Sequence, residues 1–311
     1  HGGRGGARGG GLTVAPAPSS SRMAVAMGAI GIAIYAGMDA IMKGLSIASG
    51  AYSAVWWRSI AGVLIAGSVF LARGRRWPRG AVLRLHVARG TLAGSSVLLF
   101  FWGLARVPMA KGIALTFLAP VIAIFLAAAM LGERIRPHAL LGAGVSAIGV
   151  IVIAAGEVSR DASTDSVLGT IAIVIASVLY AGNLVLLRRQ AQGADPLEVT
   201  LFTSLVISIL LLIGAPWLSG WPAWPQLPVI GLAGTLGTIS SLLMAWAYAR
   251  AETQVLATVE YSAFIWAGVL GYLVFGEIVT SFTVAGAALI VAGCLVAVRK
   301  PAPIPQTEAA L

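Results

Sequence analysis

Five charged side chains stand inside otherwise apolar runs: Asp39, Lys43, Arg58, Lys111 and Glu260. Within hydrocarbon each costs a few kcal/mol unless it is paired or wetted, so such residues mark ion pairs, proton carriers or contacts with a polar solute. Asp39 and Lys43 are four residues apart and share a helix face, where they can pair, with Arg58 as a third member. Two readings of that group stay open: a structural clamp or outer gate, and direct contact with a substrate. Glu260 has no cation within four residues. It either pairs across helices or faces water in a cavity, where it would meet an amine or carry a proton.

Other chemistry is missing from the chain. There is no His-Glu-x-x-His, no Gly-x-Ser-x-Gly and no Walker lysine loop, so no catalytic residue, metal or cofactor is expected, nor ATP-driven pumping by this chain alone. Of the three histidines, His86 and His138 fall near predicted helix ends and read as solvated or headgroup-facing. The single cysteine, Cys294, lies in an apolar run and reads as a small buried hydrophobe.

The elements that must position these residues follow from composition. Of 311 residues, 59 % are hydrophobic and 10 % charged, which places the chain among membrane proteins. Apolar runs of spanning length are predicted at 23–44, 51–72, 83–105, 108–131, 137–156, 167–188, 196–214, 227–250, 253–275 and 279–299. Residues 1–22, rich in Gly, Arg, Pro and Ser, are predicted to be disordered, and residues 301–311 are read as a C-terminal tail. No cleavable signal is expected, because the basic segment leads directly into a run long enough to cross a bilayer.

One stretch occurs twice. Residues 90–149 and 234–293 align without a gap at an offset of 144, with 17 identities in 60 positions. Matched Gly and Ala carry little weight, but Trp102/Trp246, Arg106/Arg250 and Gly132-Glu133/Gly276-Glu277 are rare types here, so the duplication is real. Tyr35-Ala36-Gly37 and Lys43 are echoed at offset 145 by Tyr180-Ala181-Gly182 and Arg188. The expected domains are therefore five-helix repeats at 23–156 and 167–300, joined by a linker at 157–166. An odd number of spans makes the second repeat enter from the opposite face, which predicts an inverted pair with Glu133 near the inner face and Glu277 near the outer. With the N-terminus in the cytoplasm, sixteen cations fall on the inner side and four on the outer, Arg58 remaining inside a span. That asymmetry predicts cytoplasmic termini and an inner-membrane location. It also explains the net charge of +10 without nucleic acid, the Arg73–Arg89 region reading as a loop on anionic headgroups.

Aromatic and polar residues complete a candidate cavity, and the residues expected to bind a solute there are Tyr35, Asp39, Trp57, Arg58, Trp102, Tyr180, Asn183, Trp246, Glu260 and Tyr261. Tyr35 and Asp39 share one helix face and Tyr180 and Asn183 the corresponding one. Belt or packing roles stay open for Trp102 and Trp246, and Trp217, Trp221 and Trp224 read as interfacial anchors. Pro120 is matched by Phe264, so a kink is expected in one repeat alone.

Ten helices in two halves, the Trp-x-x-Ala-Arg ends at 102–106 and 246–250, the Gly-Glu pairs and Trp57-Arg58 resemble the EamA family of the drug/metabolite transporter superfamily, over residues 23–300. The resemblance implies an all-α polytopic transporter with a central cavity, and export of a small metabolite; amino-acid exporters, those for aromatic amino acids included, are the branch it is most similar to. A proton-coupled multidrug or cationic-metabolite exporter is the alternative, and a membrane enzyme or lipid scramblase a second one. The expected partners are a small-molecule substrate and the bilayer, with the chain a monomer or weak homo-oligomer.

Overall fold

Ala, Leu, Ile and Val dominate every span, and in hydrocarbon their backbone must satisfy its own polar groups, which a helix does within one segment. The computed structural model describes residues 18–131, 135, 137–158, 163–190, 195–248, 250, 256 and 259–298, and these form helices and connecting turns without a strand. The helices are α1 (Pro18–Ser49), α2 (Ala51–Ala72), α3 (Ala81–Leu104), α4 (Met109–Thr116), α5 (Leu118–Leu131), α6 (Pro137–Val158), α7 (Thr164–Gln190), α8 (Pro196–Leu212), α9 (Ala215–Leu218), α10 (Gln226–Tyr248), α11 (Ala263–Phe275) and α12 (Ser281–Val298). Seven stretches are long and apolar enough to cross a membrane, α4 and α5 counting as one, while α8, α11 and α12 are shorter apolar helices at the predicted seventh, ninth and tenth spans. The protein is a polytopic, all-helical membrane protein.

Two spans differ from the sequence reading. Helix α1 begins at Pro18 rather than 23 and runs on to Ser49, where Gly50 leaves helical geometry at a φ of 80°. The ninth span is interrupted rather than continuous: Leu256, Val259 and Glu260 are helical, a turn follows at Tyr261–Ser262 and α11 begins at Ala263, while the predicted start at 253 lies outside the described residues. Glu133, expected near the inner face, lies outside the described residues, as do 1–17, 159–162 and 299–311 of the predicted tails and linker.

The Gly-Glu motif has a local cause. Gly276 takes a left-handed φ of 66° beyond the end of α11, its N–H donating to Tyr272 O at 3.0 Å while Glu277 N–H reaches back to Gly271 O at 3.0 Å. This paired closure satisfies two orphan carbonyls and turns Glu277 back toward the bundle.

Packing repeats along with the sequence. Helices α6 and α12 cross antiparallel so closely that a Cβ on Gly142 would lie 2.4 Å from Gly293 O, and one on Gly149 2.6 Å from Gly286 O. The shift of 144 carries Gly142 to Gly286 and Gly149 to Gly293, so each contact is the other with the copies exchanged. Ser146, which donates to Ile290 O at 3.3 Å, faces its own counterpart. The α3–α7 crossing is held by Ser96 Oγ donating to Ala176 O at 2.8 Å, and the corresponding α10–α1 crossing by Ser240 Oγ donating to Gly31 O at 2.7 Å. Small residues let these backbones approach, and the hydroxyls add interhelical bonds where lipid offers no hydrophobic drive.

A methyl group at Gly286 would meet Ile153 Cγ1 at 2.4 Å and Gly149 O at 2.6 Å, whereas one at Gly144 meets nothing within 4 Å. Thermal unfolding in detergent is expected to show Gly286→Ala destabilised by about 1–3 kcal/mol through overpacking. Gly144→Ala, on the open face of α6, should be neutral or slightly stabilising.

Candidate functional site

Lys43 lies near the end of α1, at the bundle end predicted to face outward, and is buried to 1 % exposure. Its ammonium donates to Val107 O at 2.7 Å and makes a short ion pair with Glu277, with the Phe275 ring centroid 5.1 Å away. The other Glu277 oxygen accepts the Met109 N–H at 2.7 Å. Met109 opens α4, where backbone N–H groups lack intrahelical acceptors and the helix dipole favours an anion. One carboxylate thus ties α1, α4 and α11 together. The expected Asp39–Lys43 pair is not formed: a long lysine stem can reach a better acceptor set on another helix than its own neighbour one turn away.

The centre of the bundle is organised by two helix breaks. Helix α4 ends at Thr116 and α5 starts at Leu118, with a turn at Phe117; in the second copy the turn falls at Tyr261–Ser262 before α11. Phe117 and Tyr261 are sequence counterparts, and their rings meet edge to face at 5.1 Å. Around the first break, Leu115 O accepts Ser177 Oγ at 3.2 Å and Phe117 O accepts the Cys294 thiol at 3.0 Å. Cys294 is buried as expected, but it also serves as a donor. The kink expected of one repeat alone is therefore present in both. Pro120 follows the first break within a turn, and the second occurs with Phe264 in its place.

Beside these breaks stand most of the residues singled out by sequence. Tyr180 lies within electrostatic reach of Glu260, Tyr35, Arg89 and Asp39, and Asp39 within that of Arg58. Glu260 directly precedes the second turn, rather than sitting deep in a continuous helix. Asp39 is half-buried and makes no ion pair or hydrogen bond. Arg58 reaches between α1 and α10, with Nη1 3.9 Å from Met38 Sδ and Nη2 close to Gly237.

Arg89 and His86, read from sequence as part of a headgroup-facing basic stretch, are instead buried on α3. Arg89 donates to Asn183 Oδ1 at 3.4 Å, to Val199 O at 3.1 Å and, in a short bond, to Thr203 Oγ1. His86 Nε2 lies 2.8 Å from Glu198 Oε1, with its ring 4.7 Å from that of Phe202. Three residues apart on an apolar helix, the two present one polar stripe to α8. That spacing was the available signal. Asn183 accordingly serves Arg89.

The predicted site tryptophans are half-buried, Trp57 and Trp102 packing on the same core cluster as Tyr35 and Tyr261. Trp57 donates to Gly220 O at 3.0 Å and packs against Trp56 and Trp221. Trp102 lies under Arg106 at 3.6 Å and Trp246 under Arg250 at 4.2 Å, each arginine also donating to the tryptophan's own carbonyl. Lys111, the remaining cation within a span, is buried at the start of α4.

Residues 22–155 and again 167–299 match the EamA-like transporter family. The chain belongs to that family. This EamA-like protein is 25 % identical to the pseudopaline exporter CntI of Pseudomonas aeruginosa, over 83 % of this chain and 89 % of the exporter. It is 23 % identical to a riboflavin transporter of Brucella anthropi, over 53 % and 55 % of the two chains. A protein of known crystal structure superposes with a TM-score of 0.60 at 21 % identity, over 91 % of this chain and 98 % of its own, a likeness of fold alone. The EamA-like chain is a membrane transporter and not an enzyme.

Removing one member of the clamp in this transporter strands the other. Lys43→Met is expected to cost about 3–5 kcal/mol in denaturant unfolding, the scale for breaking a buried pair. Lys43→Met combined with Glu277→Gln should recover a large part of that loss, because no uncompensated charge then remains.

Proposed function

We propose that this chain is a secondary transporter of a bacterial-type inner membrane, exporting a small metabolite by alternating access through a central cavity between two inverted five-helix halves. Contacts that exchange under the repeat shift support the inverted arrangement, and the excess of arginine on one side supports cytoplasmic termini. The cargo we assign is an amino acid or a close derivative, aromatic ones included. The observation that carries this reading is the gathering of Tyr35, Asp39, Tyr180, Glu260 and Tyr261 around the paired breaks of the fourth and ninth spans. Carboxylates in a low-dielectric interior suit an ammonium, and the tyrosines offer rings and hydroxyls to an amphipathic body. Relatives named for pseudopaline export and riboflavin transport support a small-metabolite cargo.

In this mechanism the Lys43–Glu277–Met109 clamp is the outer gate, and release outward requires the pair to separate. Arg58 and the aromatic residues Trp57, Trp102 and Trp246 then hold helix ends, while Asn183 acts through Arg89. The two acids also support the second reading, proton-coupled export of cationic compounds, since either carboxylate can exchange a proton for a cation.

Reconstitution decides between them. Proteoliposomes loaded with labelled amino acids should show efflux without a pH gradient on the first reading and with strict dependence on one on the second; no flux of either solute class sinks both. Asp39→Asn and Glu260→Gln should fold normally and slow efflux by roughly ten- to a hundredfold, the scale of one lost charged hydrogen bond. Normal export by both variants at every pH tested would remove these acids from the site.

A further inference from the structure

A crevice of about 400 Å³ opens between α2, α8 and α10, away from the central residues. Its walls are apolar, with Val69, Leu197, Leu242 and Ala245 among them, and Arg73 and Arg250 stand at its mouth. Asp195, also at the mouth, is neutralised by Arg75 at 2.7 Å, and its other oxygen caps the Leu197 N–H at 3.0 Å. Among the described residues Arg73 and Arg250 form no ion pair, so both guanidinium groups are available to an anion at the mouth. From Thr238 to the end of α10 at Tyr248, just short of Arg250, the crevice follows about 15 Å of helix.

The repeat makes this opening unusual. The corresponding place in the other copy lies where α2 begins and α8 ends, and there Tyr52 donates to Leu211 O at 2.5 Å, Trp56 to Ser208 O at 3.1 Å and Trp57 to Gly220 O at 3.0 Å. One junction is closed by three aromatic side chains; its counterpart is left as an apolar slot headed by two arginines.

We infer that this slot is a binding site for an anionic phospholipid, with the headgroup phosphate between Arg73 and Arg250 and one acyl chain along Val69, Leu242 and Ala245. The slot's own apolar wall is open to the surroundings at Val69 and Leu242, which are 40 % and 36 % exposed, so a lipid reaches it from the bilayer. A phosphodiester meets the guanidinium groups through charge-assisted bonds, and the Trp246 ring lining the slot suits the level of the headgroups. Basic pockets between spans hold anionic headgroups by this combination of charge and groove.

The test uses the full chain in a neutral detergent, titrated with dioleoyl phosphatidylglycerol, dioleoyl phosphatidylcholine or inorganic phosphate while thermal unfolding is followed. A saturable rise in midpoint is expected with phosphatidylglycerol and not with the other two, and an at least fivefold weaker half-saturation in Arg73→Gln/Arg250→Gln. Brominated-chain phosphatidylglycerol should quench tryptophan emission less in Trp246→Phe than in the parent, and less in Ala245→Phe, which fills the slot while keeping both arginines. Equal stabilisation by phosphatidylcholine, an equal rise with phosphate alone, or undiminished quenching in Ala245→Phe would overturn the assignment. The quenching readout holds even where the double arginine variant does not fold.

Discussion

A lysine ammonium removed from water must find acceptors within the protein, and much of the architecture at one end of this bundle answers to Lys43. Its acceptors are Val107 O and Glu277, the second 234 residues away in sequence. For Glu277 to be there, α11 has to end in a left-handed glycine that turns the chain back, and for its second oxygen to be satisfied, the first N–H of α4 must point at it. Tyr35 and Asp39 lie two turns and one turn before Lys43 on the same face of α1, so the clamp also sets how these residues meet the centre. A neutral pair of matching shape could hold the helices together, whereas removal of one partner alone strands a buried charge.

The same requirement explains the breaks. A helix interrupted inside a membrane exposes carbonyls that lipid cannot satisfy, and here the Cys294 thiol donates to Phe117 O while the Ser177 hydroxyl is shared between Leu115 O and Ile173 O. With donors on α7 and α12 beside it, an interruption is tolerated in the middle of the bundle, where side chains from several helices can then converge.

Symmetry and asymmetry divide the labour between scaffold and chemistry. The glycine crossings of α6 and α12, the serine bonds of α3–α7 and α10–α1, and the arginine-over-tryptophan ends all recur in both copies. Four titratable groups in the interior do not: Glu260 corresponds to Thr116, Asp39 to Leu184, His86 to Ile230 and Arg89 to Ala233. Duplication supplies a frame that packs against itself, and departures from it place polarity on one side of the axis.

The membrane class, the helical spans and the duplication were legible in the residues alone, because hydropathy and repetition are properties of segments about twenty residues long and need no knowledge of neighbours. The clustering of Tyr35, Asp39, Tyr180 and Glu260 was also within reach, since helix periodicity and the repeat shift put them on facing surfaces. Only tertiary structure decided whom each polar group meets. The spacing of Asp39 and Lys43 permitted a local pair, but a remote carboxylate and carbonyl hold the ammonium better. His86 and Arg89 sat close enough to a basic loop to read as surface, until packing of α3 on α8 buried them. Pairing energies in a low-dielectric interior depend on distances across helices, and those distances are set by crossings that no local pattern of residues encodes.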